Sequence, residues 1–372
     1  MWPKRLERVA WKTPAALPSG ILARRAEFLA RRTGPQLKLL CRRESLTETE
    51  EAIVRVWQRL APRFGVSKRV LGACAPFRGP RSVLAIGDTA AVVTAAEETF
   101  GDSARSYVAV ETTAPRIEAS KKVCGLAHKT EYSLSLVDVA RRPTANFDVV
   151  ACAWHLSELD DDETRDATLA VLWGCVRRGG VLAVFDAAEP LVQAARSRLV
   201  DPSSHDDPAT HKATVVSPCP ADGRCPLLAA GEKCTFPQMI LPPTTGPPLR
   251  DADGNILSPL PKIEHFSYVV LRKPHPNDAC VAIARPTARV VKPPRKRGGH
   301  VILDLCTPEA EKTRRLTITR AAMRDDADFS FRDARRATKG SLLHFEPRPD
   351  HLPKITDWFN TATMARATTP EE

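Results

Sequence analysis

The sequence contains no long run of apolar residues. No stretch approaches the roughly 20 residues that a helix needs to span a bilayer, so we expect no membrane partner. Its ten cysteines in 372 residues are too sparse for a secreted disulfide scaffold. The first 35 residues also lack the apolar core of a secretory signal. The sequence therefore argues against a membrane-spanning protein and against a disulfide-bonded extracellular module.

Positive charge, in contrast, is in excess. The chain has 55 Lys and Arg against 44 Asp and Glu, a formal net charge of +11. A surplus of this size favours a polyanionic partner, most often nucleic acid, although a merely basic protein stays open. Residues 1–35 hold eight Lys or Arg and only two acidic residues, Glu7 and Glu27. That bias is typical of mitochondrial import segments, with a basic surface helix as the alternative.

Changes in composition predict five segments along the chain. They are a basic N-terminal segment (1–35), a helical region (36–80), a strand–helix alternation (81–215), a Cys-rich and β-rich region (216–340), and a tail (341–372). One helix face in the second segment carries Ile53, Val54, Trp57, Leu60 and Phe64. In the third segment, near-continuous apolar strands alternate with helices. This pattern predicts an α/β fold with a Rossmann-like parallel sheet.

The loop after the first strand of that sheet, AIGDTAAVV, is poor in glycine. Ligands of such sheets bind beyond the carboxyl ends of the strands, where backbone must approach a nucleotide or S-adenosylmethionine closely. Gly87 and Asp88 are the candidates in this loop, and Glu111 ends the second strand as a candidate partner for ribose hydroxyls. The side chains of Thr89 and Ala91 occupy room that a cofactor needs. We therefore expect no S-adenosylmethionine binding, and we find no catalytic acid, base or nucleophile.

Three cysteines lie close together in SPCPADGRCPLLAAGEKCTFPQ, residues 217–238. Five residues separate Cys219 from Cys225, and eight separate Cys225 from Cys234. The stretch is rich in proline and poor in core-forming residues, so its order needs a source other than apolar packing. Three thiolates are one short of the four that a closed zinc or iron–sulfur site uses.

A fourth ligand must come from elsewhere in the chain. Cys306 ends the apparent strand HVILDLC at a turn and is favoured over Cys280, which begins another strand. His205 or His211 could replace a thiolate in a zinc site. The spacing matches neither a zinc ribbon nor a ferredoxin, so zinc and an iron–sulfur cluster both stay open.

The same region resembles a known family. VVSPCPADGRCPLLAAGEKCTFPQ, EHFSYVVLRKP and VVKPPRKRGGHVILDLCTPEAEKTRRLTITRA, in this order, are similar to the methyltransferase-like mitochondrial small-subunit ribosome assembly proteins, the Rsm-type family of yeast. FDVVACAWHLSELDDDETRDATLAVLW also resembles that family, and the resemblance covers roughly residues 45–340. Ala221, where a His often follows the first Cys-Pro, and the glycine-poor loop at Gly87 depart from the expected pattern.

The resemblance implies a class I methyltransferase-type sheet with a C-terminal β-rich metal module. It also implies a [4Fe-4S] cluster on four cysteines, which correspond here to Cys219, Cys225, Cys234 and Cys306. The expected location is the mitochondrial matrix. The expected partners are small-subunit mitochondrial rRNA, small-subunit mitoribosomal proteins and other assembly factors.

Basic residues follow the cysteine-rich stretch. VVKPPRKRGGH reads as a loop that cannot form a helix, and RRLTITR lies close by in sequence. Cations in such a loop stay in water or contact phosphate. Beside a predicted metal site, we expect contact with the rRNA backbone, through Lys292, Arg295, Lys296, Arg297, Arg314 and Arg315.

The sequence thus predicts an RNA-binding assembly factor that uses a degenerate methyltransferase sheet as a scaffold and is not itself an enzyme. Two alternatives stay open at this point. One is an active S-adenosylmethionine-dependent rRNA methyltransferase, and the other is a zinc-stabilised structural protein of the mitoribosome.

Overall fold

The computed structural model describes residues 48–74, 79–124, 130–200, 213–219, 222–223, 225–240, 262–275, 288–307, 313–320 and 331–343. Its helices are α1 (Glu48–Gly72), α2 (Thr89–Phe100), α3 (Ala114–Cys124), α4 (Leu136–Ala140), α5 (Asp162–Cys175), α6 (Glu189–Val200), α7 (Pro226–Ala229) and α8 (Phe331–Arg336), with short 3₁₀ helices at Gly101–Ser103 and Leu156–Glu158. The predicted import segment, Cys280, His205 and His211 lie outside the described residues.

The strands are β1 (Ser82–Gly87), β2 (Ser106–Val110), β3 (Thr130–Ser133), β4 (Phe147–Ala153), β5 (Val176–Asp186), β6 (Thr214–Ser217), β7 (Phe236–Ile240), β8 (Lys262–Arg272), β9 (Ala288–Val290), β10 (Arg295–Arg297), β11 (His300–Cys306), β12 (Arg314–Thr319) and β13 (Leu342–Leu343). The chain forms two compact units. We call Trp11–Ala213 with Gln238–Asp278 the sheet unit, and Thr214–Pro237 with Ala279–Glu372 the cysteine unit.

The sheet unit is built on a mixed sheet with the strand order β3-β2-β1-β4-β5-β8. The first five strands are parallel, and β8 runs antiparallel to β5, with Phe185 opposite Tyr268. All seven residues of β4 are buried, as expected for a strand covered on both faces. The α/β sheet predicted from the apolar runs is therefore present, with one antiparallel strand added.

Helices α1, α2 and α3 pack against one another beside the sheet. Ile53, Leu60 and Phe64 of α1 are buried, in agreement with the helix face predicted from their spacing. Residues Thr89 to Ala96 of α2 are buried without interruption. None of the described helices combines the length and the apolar character needed to cross a membrane.

The cysteine unit contains a second sheet, with the order β10-β11-β9-β13 and β12 paired to β11. Successive residues of a strand point to opposite faces. On β11, Val301, Leu303 and Leu305 are fully buried in an apolar cluster with Leu316 and Ile318 of β12. The alternate residues of β11 therefore belong to the opposite face, which carries His300, Ile302, Asp304 and Cys306.

Two local predictions differ from the structure. EHFSYVVLRKP, assigned from the sequence to the Cys-rich region, supplies β8 of the sheet unit, because its apolar residues complete the sheet beside β5. The basic run, expected to be a loop, contains β10, whose residues pair with β11 from Arg295↔Ile302 to Arg297↔His300. Gly298 has φ +47, a conformation that glycine adopts readily, and this permits the tight turn between the two strands.

Candidate functional site

The turn after β1 is close to the backbone of β4. Gly87 has φ +97, and a Cβ atom there would lie 2.0 Å from the carbonyl oxygen of Ala153. Asp88 donates its backbone N–H to the same oxygen at 3.1 Å. The close approach of β1 to β4 therefore requires a glycine at position 87, and no ligand is needed to explain this residue.

Glu111, at the end of β2, is buried and engaged by protein groups. Its Oε1 accepts hydrogen bonds from the hydroxyl groups of Thr89 and, at 3.2 Å, Ser120. Its Oε2 lies 2.9 Å from Arg116 Nε and forms an ion pair with it. The N–H of this nitrogen is not aligned to donate a hydrogen bond to Oε2. Burial raises the pKa of Glu111 to about 7, although Arg116 and the Thr89 hydroxyl oppose the shift.

Asp88 is paired in a similar way. Its carboxylate lies 3.2 Å from Arg63 Nε and 4.0 Å from Arg116 Nη2. Arg116 also donates a hydrogen bond to the carbonyl oxygen of Gly87 at 3.2 Å. The structure therefore brings the three predicted cofactor-binding residues, Gly87, Asp88 and Glu111, around one guanidinium group.

A cavity of about 410 Å³ opens at this end of β1 and β2. Its lining includes both carboxylates and the two arginines that neutralise them, with further residues from α1 and α3. Arg63 also lies over the ring of Trp154, 3.7 Å from its centroid. The sequence reasoning missed Arg63 and Arg116, because no local pattern distinguishes an inward-facing arginine of an amphipathic helix from a surface one.

The four predicted metal ligands lie in the cysteine unit. Cys219 follows β6, Cys225 precedes α7, Cys234 precedes β7, and Cys306 ends β11. All four are free thiols and are buried, between 3% and 6% exposed. Burial raises the pKa of Cys306 to about 12, with Arg289 opposing the shift and the other three cysteines adding to it. The four side chains are therefore near enough to influence one another's charge.

Arg289 is the basic residue among these cysteines. It lies in β9, opposite Cys306 in the strand register, and only 1% of it is exposed. Its Nη2 donates a hydrogen bond to the Sγ of Cys234 at 3.2 Å, and its guanidinium lies 5.0 Å from the ring centroid of Phe236. Burial disfavours its charge, but the pKa of Arg289 is raised because Cys234, Cys219 and Cys306 outweigh that effect.

Sequence reasoning did not identify Arg289, because ARVVKP has the pattern of an ordinary short strand.

The neighbouring turn adds a second cation. Lys339 lies near Cys234 and donates a hydrogen bond to the hydroxyl of Thr235 at 3.3 Å. Within the described residues, no group of three or more His, Cys, Asp and Glu side chains is arranged to hold a metal ion.

The predicted RNA-contacting residues divide between two faces of the second sheet. The strand register puts Arg295 and Arg297 of β10 and Arg315 of β12 on the face that carries Cys306. By the same register, Lys296 and Arg314 are opposite Val301 and Leu305, on the face of the apolar cluster.

Acidic partners engage several of these cations. Asp304 lies 3.4 Å from Arg295 and 2.8 Å from Arg315, and it is the shared partner of both. Lys292 pairs with Glu232 at 2.8 Å. Arg295 and Arg315 remain about half exposed or more, so a phosphate can reach them from solvent.

Comparison with known proteins identifies relatives of a large part of the chain. The sequence profile of the family described as Mitochondrial small ribosomal subunit Rsm22 matches residues 49–344. The Rsm22-cox11 tandem protein 1, mitochondrial, of Schizosaccharomyces pombe is 26% identical over 241 residues, 54% of this chain and 29% of that protein. The human Ribosome assembly protein METTL17, mitochondrial, is 27% identical over 274 residues, 71% of this chain and 55% of that protein. The chain thus spans about half or less of these curated relatives.

Solved structures that match part of the chain include methyltransferases. The N-methyltransferase NodS from Bradyrhizobium japonicum WM9 is 12% identical, with 56% of this chain and 95% of that chain covered and a TM-score of 0.35. An O-methyltransferase from Bacillus cereus is 14% identical, with 65% of this chain and 98% of that chain covered and a TM-score of 0.30.

Proposed function

Since the chain belongs to the Rsm22 family of mitochondrial small ribosomal subunit proteins, we propose that it is a mitochondrial assembly factor for the small ribosomal subunit. In this proposal it works in the matrix, binds small-subunit rRNA and carries a [4Fe-4S] cluster. The sheet unit serves as a scaffold without methyl transfer. The observation that supports the proposal most directly is the set of four buried cysteines grouped with Arg289 in one unit.

The donor set suits an iron–sulfur cluster. Four thiolates are the usual ligands of a [4Fe-4S] cluster, and each binds a different iron atom, so the sulfur atoms need not converge on one point. A single zinc ion requires four ligands at bonding distance from one centre. All four donors proposed here are buried cysteines with no histidine among them, and this is the donor set of the cluster. Cys219, Cys225, Cys234 and Cys306 would hold it, and it would link the segment between β6 and β7 to the end of β11.

The RNA-binding part of the proposal is based on the second sheet. Arg295, Arg297 and Arg315 share one face with Cys306, so a metal site that orders the end of β11 also orders the strand with which β10 and β12 pair. Contacts from such a face go to phosphates, which position a protein on RNA without reading its sequence. The net charge of +11 is consistent with a polyanionic partner.

The cluster is tested by purifying the full chain anaerobically and measuring iron, acid-labile sulfide, zinc and visible absorption. We expect about four iron and four sulfide per chain, and loss of the chromophore in Cys306→Ser. The control is Cys175→Ala, which removes a buried thiol of the sheet unit. Zinc without sulfide would support the structural zinc protein in place of this proposal.

The RNA contact is tested by the triple variant Arg295→Ala, Arg297→Ala, Arg315→Ala, with binding to small-subunit rRNA measured over a range of salt concentrations. Each lost phosphate contact lowers the salt slope by about 0.7–0.9, so we expect a decrease of roughly 2–3. A variant of the sheet unit that removes the same charge, Lys121→Ala, Lys122→Ala, Arg142→Ala, is the control. Equal slopes in the two triple variants would refute contact through this face.

A further inference from the structure

Arg289 has hydrogen-bonding capacity that the protein does not use. Of its three side-chain nitrogen atoms, Nη2 donates to Cys234 Sγ, whereas Nε and Nη1 are buried without a partner in the described part of the chain. A buried guanidinium with unpaired N–H groups is strongly disfavoured unless an acceptor or an opposite charge is present. The side chain is only 1% exposed, so solvent does not fill this role.

The neighbours of Arg289 indicate what the missing acceptor is. Its Nη2 already donates to Cys234 Sγ, Cys306 lies opposite it in the strand register, and its ring contact is with Phe236. The backbone of its strand is also held in place. Val290, the next residue of β9, exchanges backbone hydrogen bonds with the turn at Gly340 and Ser341, at 2.7 and 2.9 Å. The arginine is therefore held toward sulfur on a strand that cannot easily move away.

A [4Fe-4S] cluster with four thiolates carries two formal negative charges, and three after reduction by one electron. Hydrogen bonds to the sulfur atoms and nearby positive charge both favour the more negative, reduced form. We infer that Arg289 donates its unused N–H groups to sulfur atoms of the cluster and offsets its charge, which stabilises the bound cluster and raises its reduction potential. This inference rests on the proposed function, because it requires the cluster.

A direct interaction of Arg289 with the cluster and a purely structural role predict different reduction potentials when Arg289 is replaced. An arginine that only fills space would affect stability, but it would leave the reduction potential of a bound cluster unchanged. Lys339, which lies near Cys234, has no hydrogen bond to sulfur in the described structure, and its Nζ donates to Thr235 instead. Arg289 is thus the residue whose replacement is expected to affect the cluster most.

The test compares the full-length chain with Arg289→Met, Arg289→Lys and Arg272→Met. Methionine keeps much of the length without charge or donors, and lysine keeps the charge with one nitrogen in place of three. Arg272 is a buried arginine of the sheet unit, 7% exposed, and provides the matched control. The readouts are iron and sulfide content, the rate of bleaching in air, and a redox titration with dithionite as the electron donor, followed by electron paramagnetic resonance.

For Arg289→Met we expect bleaching at least threefold faster. We also expect at least a tenfold shift toward the oxidised cluster at a fixed potential, equivalent to about 59 mV for a one-electron couple. Arg289→Lys should lie between this variant and the unmodified chain, and Arg272→Met should match the unmodified chain. If Arg289→Met does not fold, the lysine variant decides, because an unchanged bleaching rate and potential there would overturn the inference.

The two proposals can fail separately. An unmodified chain without iron and sulfide would refute the cluster itself. An unmodified chain that carries the cluster, with the same potential and bleaching rate as the Arg289 variants, would leave the cluster in place and refute only the role of Arg289.

Discussion

Arg116 Nε lies 2.9 Å from Glu111 Oε2, so the carboxylate at the end of β2 is paired with a cation of the same unit. In nucleotide-binding sheets, an acidic residue in this position accepts hydrogen bonds from ribose hydroxyls. Here Thr89 and Ser120 also donate to this carboxylate. A ligand would have to displace an internal ion pair and two hydrogen bonds before it could use Glu111.

We therefore expect that the chain does not bind S-adenosylmethionine with micromolar affinity. Isothermal titration calorimetry on the purified full chain is the direct measurement, and no saturable heat should be observed. Saturable binding that disappears in Glu111→Ala would show that the cavity is a working cofactor site, and would revive the methyltransferase alternative.

Replacing Arg116 should destabilise the sheet unit. Arg116→Met leaves the buried Glu111 carboxylate without its cation, and we expect a loss of about 2–3 kcal/mol in the free energy of unfolding. Arg142, which pairs with the more exposed Glu131, is the control, and Arg142→Met should cost less than about 1 kcal/mol. Urea denaturation followed by tryptophan fluorescence measures both. Equal losses would mean that the Arg116 pair is no more important than a surface pair.

Glu111 should also make stability depend on pH. Its pKa is raised from 4.5 to about 7 in the folded protein, so folding favours the protonated form. Its stabilising contribution is fully present below pH 4.5 and is lost as the pH rises through about 7. Between pH 5 and pH 8, the unmodified chain should therefore lose about 2–3 kcal/mol relative to Glu111→Gln. Parallel stability curves for the two proteins over this range would contradict the assignment.

Asp304 should limit RNA binding, because its carboxylate engages both Arg295 and Arg315. Asp304→Asn removes a negative charge from the basic face and releases two cations toward phosphate. We expect affinity for small-subunit rRNA to rise by about three- to tenfold at low salt, with a steeper salt dependence. Asp166→Asn, which breaks an exposed pair with Arg198 in the sheet unit, is the control. The same affinity in both variants would place the RNA contact elsewhere.

Much of the fold could be predicted from local patterns. The apolar runs of β1, β2, β4 and β5 predict a buried parallel sheet, and HVILDLC coincides with β11 from His300 to Cys306. The position of β8 could not be predicted in this way, because a strand's pattern does not specify its partner. Its pairing with β5 joins residues far apart in sequence, such as Val181 and Arg272. The β10 hairpin was missed because its charged residues gave no apolar alternation, although Gly298 and Gly299 marked the turn.

The sequence indicated only some of the residues that form the candidate sites. Cysteines and glycines can be recognised as candidate site residues in the sequence, because few other residues perform their roles. Arg116 and Arg289 contact the candidate cofactor-binding and cysteine residues. In the sequence alone, neither arginine can be distinguished from a cation on the protein surface. The ion pair of Arg116 with Glu111, and the burial and unused N–H groups of Arg289, are properties of the packed protein.

The four cysteines of the cysteine unit are synthesised in two steps, because they lie in two separate parts of the sequence. Cys219, Cys225 and Cys234 leave the translating ribosome first, and Cys306 follows 72 residues after Cys234. At roughly 5–20 residues per second, the first three thiols exist for several seconds before Cys306 is added. Thiols that are not yet buried can be oxidised. A reducing environment is therefore needed most during this interval, before β9 and β11 have been made.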